Sequence, residues 1–470
     1  MLYNFRLCSF TIQSKQKTHR QSGEAMCLRR MEEFLVMMTI CKDPVLNVDT
    51  YGNIFMYATH RDLTTSPRHI IRMNEPVRPE LLQKALELAL IRFPQMAVGL
   101  TRGETAYSYR YIDKPPVVLP LQNHVSPYWM GSADTNGYLF LCGYCRNTII
   151  MEYQHCTCDG HGFDEFIRSV LFEYLTLCGH PVENDGSIRT RETEFDPKEC
   201  EDGFELLNDV PRSGANHHPD IPSFHMPEYD STTDANELVT EIAFPFSQLK
   251  AFTKKNGGTP MTFVMTALSR AMHLTYNTDE AIVAEIPMDL RPLVPSPTTH
   301  FFVSLLDLPF LPEYYDLSFG EACRRCSDYF NTQRALEHSA WWAKQNGDNV
   351  FAIHNSDMPI AEKEQAMRTR ARNYIRRDSF ILTNIGAFHL PESMQPYVLD
   401  YSAILPCAYQ PWGVLVSSYR GYLKISLAQR DHNMNLVRNL LHTLAGTGVR
   451  ASTYSYPFHT TRYDGRYLDR

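Results

Sequence analysis

The sequence predicts a protein of mixed helices and strands with two hydrophobic cores. Length is the first reason. At 470 residues the chain exceeds what one ordinary core fills and suggests two domains of about 200 residues each. The second reason is that strand-like and helix-like apolar periods alternate on both sides of the middle of the chain. The third is residues 181–237, where acids outnumber bases, Pro, Gly, Asn and His recur, and no period holds. That stretch reads as a linker or a long surface crossover.

Composition narrows the function. The formal net charge is −8, with 43% hydrophobic and 21% charged residues. This is ordinary for a soluble globular protein and argues against a nucleic-acid binder. No apolar run approaches the roughly 18–20 residues of a membrane span. Twelve cysteines accompany a start, MLYNFRLCSFTIQ, too short and polar for a secretory leader. They read as reduced thiols of a cytoplasmic protein.

Residues 1–42 carry excess base and no period. Disorder, a natural start at Met26 or Met31, and a basic targeting arm all fit. Tyr51–Tyr57 and His69–Met73 read as short strands. Pro79 then opens a helix whose buried face is Leu81, Leu82, Ala85, Leu86 and Ala89, and Pro94 ends it. Tyr107–Ile112 and Tyr138–Tyr144 read as strands, the second in a hairpin with Thr148–Gln154. After the crossover, Leu238–Phe244 is a strand, and Thr259-Pro260 starts a helix buried through Phe263, Val264, Ala267, Leu268 and Ala271. Strands follow at Ala281–Pro287 and Phe301–Phe310, with a long charged helical region over about 319–345. The arginines of 359–377 (Arg368, Arg370, Arg372, Arg376, Arg377) fit a solvated helix face, or a phosphate site. Ser379–Gly386 is a strand ending near Asn384. Trp412–Ser418 and Gly421–Ala428 form a hairpin, and Asn433–Leu444 is a closing helix. No function attaches to the tail from 451.

The chemistry concentrates in residues 148–166, TIIMEYQHCTCDGHGFDEF. An apolar strand runs into His155, and Asp159 and Gly160 follow as H-x-x-x-D-G. Phe163, Phe166, Ile167, Val170, Leu171, Tyr174 and Leu175 then trace one face of a helix that starts near 163. A histidine titrates near neutrality and serves as a general base. Asp159 either orients the imidazole or bonds elsewhere, and Gly160 suits a close backbone approach. The bland alternative is a buried histidine beside a helix N-cap aspartate. Cys142, Cys145, His155, Cys156, Cys158 and His161 offer a zinc-like spacing, but the hairpin turn and the His155 loop compete for it. His217–His218 lacks a matching carboxylate or cysteine and reads as solvated loop. No metal is expected.

This stretch resembles the signature of the chloramphenicol-acetyltransferase-like superfamily, which includes peptide-synthetase condensation domains and alcohol acetyltransferases. PMDLRPL, HFFVSLLDL and TNIGAFHLPESM resemble three further segments of that superfamily, in its order, so the likeness covers about 48–450. The resemblance implies two similar α+β halves forming a pseudo-dimer with a central tunnel. On those terms 43–180 is the first half, 181–237 the crossover, 238–455 the second half and 456–470 a tail. It also implies an acyltransferase with no bound cofactor, acyl-CoA or an acyl carrier protein being the thioester donor. The acceptor is an alcohol or amine. His155 matches the catalytic histidine, and Asp159 a structural aspartate paired to the arginine matched by Arg291. Gly160 would keep the tunnel open. Asn384, with Thr383, is either a polar group near the acyl oxygen or a structural strand-end amide.

The departures matter as well. Gln154 stands where condensation domains usually carry a second histidine, and His300 where the superfamily has asparagine. Gln410-Pro411-Trp412-Gly413 does not match the D-F-G-W-G segment of plant members. These favour a free-standing enzyme. A non-catalytic binding or scaffold protein of the same fold is the alternative.

Overall fold

The computed structural model describes residues 46, 48–60, 63–64, 66–121, 126–211, 221–227, 237–407, 410–430 and 433–459. Contacts divide the chain into Met1–Lys42 and Asp43–Arg470. The first unit lies outside the described residues, as do His217–His218 and 460–470.

Two sheets carry the second unit. The first has five strands, in the order β11 (Val398–Ile404), β1 (Arg68–Met73), β6 (Thr148–Tyr153), β5 (Phe140–Cys145), β4 (Val118–Pro120). The second has seven, in the order β14 (Ser452–Phe458), β7 (Glu237–Pro245), β13 (Tyr422–Gln429), β12 (Trp412–Tyr419), β10 (Phe380–Ala387), β8 (Ile282–Asp289), β9 (Val303–Phe310). β10 runs parallel to both its neighbours, and the remaining pairs of this sheet are antiparallel. A separate ribbon pairs β2 (Val98–Arg102) with β3 (Tyr107–Tyr111).

Each sheet has its own core, as the length suggests. Leu82, Leu86 and Phe93 of the Pro79–Arg92 helix and its end meet Phe163, Phe166 and Val170 of the Gly160–Leu177 helix over the first sheet. Phe263, Val264 and Leu268 of the Pro260–Tyr276 helix pack on Ile282, Ala284, Val414 and Ile425 of the second. Burial of each such side chain contributes about 1.5–3 kcal/mol. Pro79 sits in the first turn of its helix, and Thr259 Oγ1 accepts the Thr262 N–H at 3.2 Å to cap the next.

Four expectations change. Tyr51–Tyr57 is not a strand: Gly52–Ala58 is a helix. Its aromatic, β-branched composition favours strand, but the Asp49 carboxylate caps it by accepting the Gly52 N–H at 2.7 Å, and Tyr51 stacks between Phe204 and Phe301. The charged region after 319 is two helices, Phe319–Gln333 and Leu336–His354. The stretch after 181 is partly built into the fold. Asp196 caps a short helical turn, Pro197–Cys200, and Arg92 donates to both oxygens of the buried Glu199 at 2.9 and 2.7 Å. The arginine run is not a uniformly solvated face: Arg370 donates to Asn346 and Arg377 pairs with Asp307 and Asp378. β11, which lies within 238–455, pairs with β1 in the first sheet across its full length.

Candidate active site

His155 stands just past the end of β6, where the chain turns before the Gly160–Leu177 helix. Its Nδ1 lies 3.0 Å from the Cys158 carbonyl oxygen. Nδ1–H therefore donates, and the neutral tautomer keeps Nε2 as the acceptor. Phe55 stacks on the imidazole at 4.4 Å and 9°, Tyr153 meets it edge-on at 5.3 Å, and Phe301 lies tilted at 5.4 Å. Burial lowers the His155 pKa, and the Cys158 carbonyl and Asp159 only partly oppose it. The resting imidazole is thus neutral at pH 7.

Asp159 does not touch the ring through any observed bond. It is the N-cap of the following helix, its Oδ1 accepting from Gly162 N–H at 3.0 Å. Its Oδ2 accepts from Arg291 Nη1 at 2.8 Å and from Phe302 N–H at 3.1 Å. Arg291 also donates to the Thr298 and His300 carbonyls and to Asp289. Burial would raise the Asp159 carboxyl, but Arg291 and the Gly162 N–H outweigh it and hold it below the usual carboxylate range. The pair thus joins the first sheet's helix to the segment after β8.

Glycine behaves differently at its two positions here. A Cβ on Gly160 would meet only Ile385 Cγ2 at 3.3 Å, whereas one on Gly162 would lie 2.0 Å from the Thr299 carbonyl oxygen. The close approach anticipated at Gly160 is tightest at Gly162. Gln154 is fully buried and donates to Thr59 and the Phe55 carbonyl. His300 is buried beside Asp49, and burial lowers its pKa to about 4. Thr383 and Asn384 lie on β10. Asn384 Oδ1 accepts from Gly386 N–H at 3.0 Å, at an irregularity of the β10–β12 register.

Six of the residues expected from the sequence, His155, Asp159, Gly160, Arg291, Thr383 and Asn384, border one cavity of about 420 Å³. Its floor is one face of the second sheet: Glu285, Pro287 and Asp289 of β8, Val303 and Leu305 of β9, Ile381 and Thr383 of β10. The period of two is the strand alternation. Sequence reasoning missed Phe55, His69, Asp164, Glu285 and Tyr374, which also line it. Phe55 was hidden by the strand reading, and the others carry no motif. His69 Nδ1 lies 2.8 Å from Tyr401 Oη, which donates to Asp164 at 3.1 Å.

The zinc-like spacing does not become a cluster. Among the described residues no three His, Cys, Asp or Glu side chains converge as metal ligands. Cys142 packs in the first core, where burial pushes its thiol up to about 12; burial also raises Cys156 and Cys158. No described helix is long and apolar enough to cross a membrane.

No protein-family model matches the sequence, and no curated protein matches it. Solved structures do. Polyketide synthase associated protein 5 from Mycobacterium tuberculosis is 12% identical, with a TM-score of 0.57 over 85% of this chain and 98% of its own. The epimerization domain from the third module of tyrocidine synthetase B is 12% identical, with a TM-score of 0.55 over 86% and 95%. TRI101 of F. sporotrichioides, solved with coenzyme A and T-2, is 12% identical, with a TM-score of 0.54 over 85% and 98%. Identity this low speaks for the fold alone, a mixed α+β architecture shared over most of each chain.

Proposed function

We propose that the protein is an acyltransferase that moves an acyl group from a thioester to a hydroxyl or amine, with His155 as general base. The observation that carries this reading is the tautomer: Nδ1 is committed to the Cys158 carbonyl, so Nε2 is left to accept a proton at the cavity that His155 lines. The acceptor's O–H or N–H gives its proton to Nε2 as its heteroatom attacks the thioester carbonyl. The tetrahedral adduct then collapses, the C–S bond breaks, and His155 returns the proton to the departing thiolate. An ester or amide and a free thiol result, and the imidazole ends neutral. We assign the Asn384 amide nitrogen to the developing oxyanion, since its Oδ1 is engaged by Gly386. Asp159 and Arg291 act by holding the corner that carries His155. Coenzyme A is the donor we favour, on the likeness to TRI101, solved with coenzyme A; an acyl carrier protein is the variant.

The test is thiol release from acetyl- to palmitoyl-CoA with pooled alcohols and amines. Acceptor-dependent release is expected, reduced about 10²–10⁴-fold in His155→Ala. Release that persists in the variant would remove His155 from the role. No release from CoA or carrier-protein thioesters would leave a binding protein of this fold.

A further inference from the structure

The floor of the cavity holds an acid that the transfer chemistry does not use. Glu285 lies on the same face of β8 as Pro287 and Asp289, in a wall otherwise built by Leu305, Ile381 and Thr383. It is 4% exposed, and its Oε2 is buried with no hydrogen-bond partner among the described residues. Such a carboxylate is normally paired, because water is lost and nothing replaces it. Asp289, by contrast, is paired to Arg291, and Asp307, opposite Glu285 in the β8–β9 register, to Arg377. Arg377 pairs with Asp378 as well. That guanidinium is thus engaged by two other acids, and Glu285 Oε2 receives no bond from it.

We propose that Glu285 is a specificity-determining residue that binds an alkylammonium group of the acceptor, remote from the atom that is acylated. Resting on the acyltransferase reading, this gives the acceptor a class: an amine-bearing molecule with an apolar spacer. The walls fit that shape. From Glu285 to Asp289, beside the Arg291 that holds Asp159, β8 advances about 13 Å. Phe55 and Phe301 pack on His155, and Phe301 stacks on Tyr51 at 5.0 Å, all three rings lining the cavity. Tyr374 lines the same cavity, its hydroxyl accepting from Trp342 and Asn346 at 3.3 Å each. Aromatic faces beside an acid suit a cation. An ammonium kept charged at Glu285 is no nucleophile, so the acylated group is a second hydroxyl or amine nearer His155.

The test measures binding without any thioester, so its outcome is separable from the failure of acyl transfer. Hexylamine and 1-hexanol are titrated into the wild-type protein and into Glu285→Gln, with calorimetry and thermal melting as readouts. The expected result is at least about tenfold tighter binding of the amine, a preference one charged pair readily supplies, abolished in Glu285→Gln and kept in His155→Ala. The unliganded Glu285→Gln protein should melt no lower than wild type, since the replaced oxygen has no partner to lose. Equal binding of amine and alcohol, no amine binding, or a preference that survives Glu285→Gln would overturn the proposal. Should Glu285→Gln not fold, Glu285→Leu is titrated in its place and the same outcomes decide.

Discussion

Asp159 and Glu285 border the same cavity, and both are buried acids, 2% and 4% exposed. Asp159 is held ionised by a guanidinium and two backbone N–H groups. Burial instead pushes the Glu285 carboxyl well above the carboxylate range, and Asp378 adds to the rise. Burial alone therefore says nothing about the role of an acid. The bonds already made decide it: a saturated carboxylate fastens two segments, and an unsaturated one is free to receive a ligand.

Substitutions that unsaturate the first acid should have the largest effect. Arg291→Met leaves Asp159 buried without its charge partner, and a loss of about 3–5 kcal/mol in urea unfolding is expected. If the loss is below 1 kcal/mol, the fastening role of Asp159 fails. Next comes the glycine pair. Gly162→Ala drives a methyl into the Thr299 carbonyl and should cost about 1–3 kcal/mol by strain. Gly160→Ala meets one movable side-chain methyl and should cost less; the reverse order would mean that the corner yields at 162. Asp159→Asn tests the ionised state itself. Its carboxyl is held low, so the wild-type advantage is present above the unfolded value of about 3.8 and is lost as pH falls through the lower folded value. The gap in unfolding free energy between the two proteins should be full at pH 7 and narrower at pH 3, and a constant gap would contradict the pairing. The smallest effect concerns rate. Burial lowers the His155 pKa below the ordinary 6.5, so the neutral base persists to lower pH. The acid limb of kcat/KM should bend below pH 6.5, not at or above it.

Much of the first acid was legible in the sequence. H-x-x-x-D-G lay between a strand period and a helix period, and Arg291 belonged to a segment of the same resemblance. The second acid was not, although AIVAEIP shows a lone glutamate in an apolar strand. Alternation tells which residues share a face, but not which face meets the cavity and which the core. That depends on where the other sheet lies. Tyr51–Tyr57 failed for a related reason: its local preference for strand gave way to the capping carboxylate of Asp49 and to contacts with Phe204 and Phe301, far along the chain. Helices with a wide apolar stripe and a Pro start, such as Pro79–Arg92, carry their own instructions and were read within a residue or two.

The pairing of β11 with β1 also sets a clock on biosynthesis. β1 leaves the ribosome some 330 residues before its partner at Val398–Ile404, which at typical elongation rates is a wait of roughly tens of seconds. During that interval the strand carrying Ile70, Ile71 and Met73 presents an open hydrogen-bonding edge, the kind that recruits stray strands. A gene cut anywhere before residue 398 would make that exposure permanent. The first half made alone should therefore aggregate, and adding the second half in trans should rescue it only by supplying β11.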